Sequence, residues 1–250
     1  MKIAFIDIDE IFWKAFNNIR YFDVLSFISD LQQKEKQDKI YCMADFTSKD
    51  YLKSTLESLI KAKQNYPIEI VDGYSQTEKR NLTDILLINM FYQDFMKQEN
   101  IDENIYTIAT ASKKYFNMIN FVESIGGNKV NLVVSNDIDY YERISESFNV
   151  IMEIDISKEK MDIFDKTVIR EIIRSTKWGE ENRHWMTIKN LIDNCRKMSN
   201  IDSKRTEYML HAMISLGYLE KKTLVNKDDP NIKYKVVVCG PEDKIAQLLG

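Results

Sequence analysis

The 250 residues are 44% hydrophobic and 11% aromatic, with 7 Gly and 3 Pro, which suits one large core or two smaller ones and excludes a collagen-like or low-complexity chain. There is no run of about 18 apolar residues, so no membrane span is expected, and the opening Met1-Lys2-Ile3-Ala4-Phe5-Ile6-Asp7 lacks the cleavage site of a signal peptide. The net charge of −4 is unevenly spread: residues 1–159 carry 18 Lys and Arg against 26 Asp and Glu, whereas residues 160–250 carry 17 against 13. An acidic first part and a basic second part are expected to do different work.

In chain order, residues 2–8 form a near-continuous apolar run, the pattern of a parallel strand covered on both faces. A helix is expected over 23–35, with Val24, Leu25, Phe27, Ile28 and Leu31 on one side. A strand follows over 39–44, then a helix over 48–65 with Ser48 as its N-cap, and a short strand over 68–71. The next helix covers 81–98 and the next strand 105–109. A helix over 115–124 ends at the Gly126-Gly127 turn, and strand 130–134, helix 139–148 and strand 150–154 close the series. Strands alternating with helices in this way predict an α/β fold, a doubly wound and mainly parallel sheet over residues 1–155.

Residues 155–161 are charged and poor in apolar side chains, and the domain boundary is expected there. Helices over 165–175, 187–198 and 203–216 follow. Strands over 218–225 and 233–239 then flank a turn at 226–231, with a short terminal helix over 240–250. Three helices followed by a β-hairpin is the order of a winged-helix module, which is expected over 162–250.

Cys42, Cys195 and Cys239 are far apart and form no C-x-x-C pair, which points to reduced thiols in the cytoplasm. With only His184 and His211, a histidine zinc site or a Ser-His-Asp triad lacks imidazole. Any catalysis must rest on carboxylates. In an open parallel sheet, ligands bind beyond the carboxyl ends of the strands. Those ends deliver Asp7, Asp9 and Glu10 from the first strand, Asp45 from the second and Asp72 from the third, while Asp84 opens the helix that follows. Carboxylates brought together repel unless a cation neutralises them. Mg²⁺ or Mn²⁺ would suit such a set, with Asp7, Asp9 and Asp84 as ligands and Asp7, Asp45 and Asp84 as the acting carboxylates. For each of them, helix capping is the competing explanation.

Phe5-Ile6-Asp7-Ile8-Asp9-Glu10 resembles the opening motif of NYN domains, a branch of the PIN-like nucleases, where a strand-ending Asp is soon followed by Asp and Asn. Asp45 fits a position where that family often has an acidic residue. Asp84, after Arg80-Asn81-Leu82-Thr83, is similar to its Lys-x-x-Asp segment. Residues 107–134 are similar in layout to its strand, Ser-Gly-Asp-Ser-Asp-Phe loop, helix, glycine turn and strand. The resemblance covers residues 1–155 and implies a metal-dependent ribonuclease lineage. In one place the chain departs from it: Thr110-Ala111-Ser112-Lys113-Lys114-Tyr115 puts Ser112 and Lys114 where the family has two metal-ligating aspartates. That swap weakens the hold on a divalent cation on Coulomb grounds. Lys114 could neutralise Asp7 and Asp84 itself, or contact a phosphate. Asp137 and Asp139, after the next strand, are candidates to replace the missing aspartates, although Asp139 also suits a helix N-terminus.

In the second part, Lys204, Arg205 and Tyr208 at the start of the third helix are expected to face outward toward nucleic acid. Lys221, Lys222, Lys233 and Lys235 on the hairpin are expected to reach phosphates, giving salt-dependent binding with little base discrimination. Two readings follow: a metal-dependent ribonuclease with an altered acidic site, or a catalytically inactive NYN-like adaptor or transcription regulator acting through its winged helix. RNA or DNA is the expected partner. A homo-oligomer or a protein partner docking on the winged helix is the competing one.

Overall fold

The structure is a computed structural model that describes residues 1–97, 104–126, 130–136, 138, 141–156, 161–225, 229 and 231–249. Asp137, Asp139 and Gly127 lie outside the described residues, as does most of the turn expected at 226–231.

β1 (Lys2–Asp7) runs directly into α1 (Ile8–Asn17), a helix absent from the expected order. The cause is local. Ile8, Ile11, Phe12 and Ala15 recur at helical spacing and are fully buried, and one Asp7 carboxylate oxygen accepts the Glu10 N–H at 3.1 Å, capping the helix from within the strand. α2 (Val24–Glu35) is capped by Asp23, and β2 (Lys39–Ala44) follows. Where one helix is expected over 48–65, a 3₁₀ turn at Asp50–Leu52 leads into α3 (Lys53–Ala62). Ser48 does not cap it, because both its N–H and its hydroxyl donate to Asp45.

β3 (Ile68–Asp72) passes through Gly73 into a small ribbon, β4 (Tyr74–Ser75) and β5 (Arg80–Asn81), then into α4 (Thr83–Phe95). β6 (Ile105–Thr110), a 3₁₀ turn at Lys113–Tyr115, α5 (Phe116–Gly126), β7 (Asn131–Ser135), α6 (Tyr141–Ser147) and β8 (Asn149–Ile154) complete the first unit. That unit comprises Met1–Ala15 and Phe22–Ser157. Six parallel strands lie in the order β3-β2-β1-β6-β7-β8, so the expected doubly wound α/β sheet is present. Sheet growth reverses between β1 and β6, and the carboxyl ends of these two strands are where open α/β sheets form their ligand crevice. Beneath it, Phe5 stacks on Tyr41 at 4.9 Å, and Phe91 tilts against Tyr106 at 4.9 Å.

Gly73 joins β3 to the site. Its N–H donates to the Ala44 carbonyl at 2.7 Å, and its own carbonyl accepts the Leu82 N–H at 2.7 Å. A β-carbon there would run into the Thr83 hydroxyl and lie 2.9 Å from Thr83 Cβ. Gly73→Ala is therefore expected to destabilise the first unit by about 1–3 kcal/mol, measured as a lower thermal midpoint.

The second unit comprises Phe16–Tyr21 and Lys158–Gly250. Its elements are α7 (Ile163–Glu181), α8 (Ile188–Ser199), α9 (Ser203–Ser215), β9 (Leu219–Val225), β10 (Lys233–Cys239) and α10 (Glu242–Leu249). Asp162, Thr187 and Asp202 cap the first three helices. α7 extends six residues past the expected end at 175, to Glu181. β9 and β10 pair antiparallel, with Lys235 opposite Thr223. Between α7 and α8, Met186 forms an antiparallel bridge with Val237, whose N–H donates to the Met186 carbonyl at 2.8 Å. The hairpin thus gains a third chain segment, and its base is anchored where Val236, Val237 and Val238 are buried.

Candidate functional site

The carboxyl end of β1 places Asp7 at the floor of the crevice, 1% exposed. Beyond β6, the 3₁₀ turn turns Tyr115 inward, and its phenol donates a short hydrogen bond to the Asp7 oxygen that Glu10 leaves free. Burial pushes the Asp7 carboxyl up to about 7, while the hydrogen bonds from Tyr115 and Glu10 pull the other way. Burial and the Asp7 charge likewise raise the Tyr115 phenol well above its ordinary range, so it stays a donor.

Asp9, 5% exposed, is saturated. One oxygen accepts from the Asp45 N–H at 3.0 Å, the Asn81 amide at 2.6 Å and the Thr83 hydroxyl at 2.8 Å. The other is ion-paired with Lys49 at 2.8 Å. This carboxylate ties together the ends of β2 and β5 and the start of α4. Asp45 is 2% exposed and caps the turn after β2 through both the N–H and the hydroxyl of Ser48. Asp72 accepts the N–H groups of Phe46 at 3.1 Å and Tyr74 at 3.0 Å, and also the Thr47 hydroxyl. Capping therefore accounts for Asp45 and Asp72.

Glu10 and Asp84 are the carboxylates on the open side, and Lys114 lies between them. Its ammonium is 2.5 Å from a Glu10 oxygen and 3.6 Å from an Asp84 oxygen. Burial works to lower the Lys114 pKa, but the Glu10 hydrogen bond and the charges of Glu10, Asp84 and Asp7 outweigh it, and the pKa rises. Ser112 serves the backbone, accepting the Lys114 N–H at 3.4 Å.

Among the described residues, the carboxylates expected to hold Mg²⁺ or Mn²⁺ are engaged by protein groups. Asp9, one of its three expected ligands, has given its oxygens to four donors. Asp7 accepts from Tyr115 through one oxygen and from the Glu10 N–H through the other, and Asp84 shares Lys114 with Glu10. Among the described residues, no group of three His, Cys, Asp or Glu side chains could hold a metal ion. Nor is a thiol nucleophile on offer at neutral pH: burial pushes Cys42 and Cys239 up to about 12 and Cys195 up to about 11. No family model, curated protein or solved structure matches the chain.

In the second unit the outward placement expected for α9 is corrected. Tyr208 is 2% exposed, because Phe16 and Tyr21 meet its ring edge-on at 5.7 and 5.6 Å. Arg205 turns inward to Asp165, donating through Nε at 2.7 Å to a carboxylate with no exposure. Its guanidinium also lies over the rings of Tyr21 and Phe164. Lys204 is half-buried, whereas Lys221, Lys222, Lys233 and Lys235 are all exposed on the hairpin. Sequence reading passed over Lys49, Asn81, Tyr115 and Asp165. Only Asp165 left a signal: it stands three and four positions before the buried Val168 and Ile169, on the apolar side of α7.

Proposed function

We propose that the chain is a nucleic-acid-associated protein, pairing an NYN-like α/β unit that has lost its metal centre with a winged-helix unit that holds the phosphate backbone. The order of three helices and a hairpin supports the winged-helix reading, and the Met186–Val237 bridge ties the segment between the first two helices to that hairpin. The observation that carries the proposal is the hairpin. Its base is buried, while residues 221–223 and 233–235 project into solvent with four lysines among them. α9 offers little for reading bases, since Arg205 and Tyr208 are committed inside the unit. Backbone contact without base readout is therefore the binding mode.

Replacing Lys221, Lys222, Lys233 and Lys235 together with alanine is expected to weaken binding of labelled duplex DNA and single-stranded RNA at least about tenfold near 0.1 M salt. The slope of log affinity against log salt should become shallower by about 3 if each lysine neutralises a phosphate. Unchanged affinity and slope in a fluorescence-anisotropy titration would overturn this reading. The metal-dependent ribonuclease reading draws on one observation, the convergence of Asp7, Glu10 and Asp84 at the switch point of the sheet. Mn²⁺-dependent cleavage of a labelled RNA, abolished by Asp7→Asn, is the result that would favour it over the adaptor.

A further inference from the structure

The open side of the crevice holds two carboxylates from different elements, Glu10 in the first turn of α1 and Asp84 in the first turn of α4. We propose that the Lys114 ammonium is the built-in cation of this crevice, standing where a divalent ion would otherwise bridge Glu10 and Asp84. The lysine is delivered by the 3₁₀ turn after β6, in which Ser112 accepts the Lys114 N–H and the next residue, Tyr115, is hydrogen-bonded to Asp7. One short turn thus supplies both the positive charge for the outer pair and the phenol that closes the inner carboxyl. An ammonium needs no octahedral set of ligands. It satisfies oxygens 2.5 and 3.6 Å away directly, where a divalent ion would have to complete its shell with several waters. This role for Lys114 belongs to the first unit alone and holds whether or not the second unit binds nucleic acid.

Mn²⁺ titrated into the whole chain without nucleic acid, followed by calorimetry and thermal midpoint, tests the assignment. The wild type should give no binding heat and no Mn²⁺-dependent rise in midpoint. Lys114→Asp reverses a unit charge beside the would-be ion and should bind Mn²⁺ about a hundredfold tighter than wild type, or more. Lys114→Gln, which keeps most of the side chain's length and loses its charge, carries the test if the aspartate variant does not fold. Its midpoint should fall, and Mn²⁺ should restore it. Two results would overturn the proposal: a wild-type midpoint raised by Mn²⁺ with the rise lost in Glu10→Gln, or no gain of Mn²⁺ affinity in either Lys114 variant.

Discussion

Asp7→Asn is expected to raise the thermal midpoint of the first unit relative to wild type, and to do so far more at pH 8 than at pH 5. The sign comes from burial. In the fold, the Asp7 carboxyl titrates near 7, against 3.8 for an ordinary aspartate. Between those values the folded chain binds a proton that the unfolded chain has released, so wild-type stability falls as pH climbs from about 4 to about 7. Above the folded pKa the cost is complete, with a ceiling of about 4 kcal/mol. An asparagine carries no such cost, and it keeps the local pairing: its carbonyl can accept the Glu10 N–H while its amide donates to the Tyr115 oxygen. Whatever fixed penalty the substitution brings cancels when the two pH values are compared. The gap between variant and wild type should therefore widen by about 2–3 kcal/mol from pH 5 to pH 8, or roughly 5–10 °C for a unit of this size. A gap that stays constant would mean that Asp7 is ionised at both pH values. In that case the crevice floor carries a full negative charge.

How much of this was legible depended on how far each residue's partners lie along the chain. The strands could be read because a parallel strand buried on both faces must be apolar almost throughout, and β1, β2, β6 and β7 are buried nearly end to end. α1 was hidden because Ile8, Ile11 and Phe12 follow closely on the apolar run of β1, and its start signal, Asp7 with Glu10 three residues on, was read as a carboxylate cluster. The gathering of acidic side chains at the strand ends followed from topology alone, and Lys114 stood out because the resemblance puts an aspartate at its position. The state of each carboxylate did not follow. Asp9 looks like a ligand until Lys49, Asn81 and Thr83 arrive from 40 to 74 residues away. Tyr208 misled for a related reason. A helix with a single buried stripe would leave it outside, but Phe16–Tyr21 belongs to the second unit and covers a further side of α9.

Arg205→Met is the substitution expected to damage the second unit most. Asp165 has no exposure, and Arg205 is the cation that answers it, through Nε at 2.7 Å and a second, shorter contact from the guanidinium. Burial pushes the Asp165 carboxyl up, and the charge and hydrogen bond of Arg205 pull against that rise. Removing the guanidinium strands a carboxylate with one remaining donor among the described residues, the Tyr21 N–H at 3.3 Å. Breaking one side of a buried pair costs about 3–5 kcal/mol, enough to lower the midpoint of a domain this small by roughly 12 °C or more. Adding Asp165→Asn to Arg205→Met should recover more than half of that loss, because the amide still accepts the Tyr21 N–H and carries no charge to strand. The cycle of single and double variants separates two causes. If the double variant melts no higher than Arg205→Met alone, the lost stability belonged to the packing of Arg205 over Tyr21 and Phe164, at 5.5 and 5.9 Å from their ring centres, and the ion pair is worth little. If it recovers, the ion pair is what holds Arg205 inside the unit, and the proposed contact with phosphate has to come from the hairpin lysines.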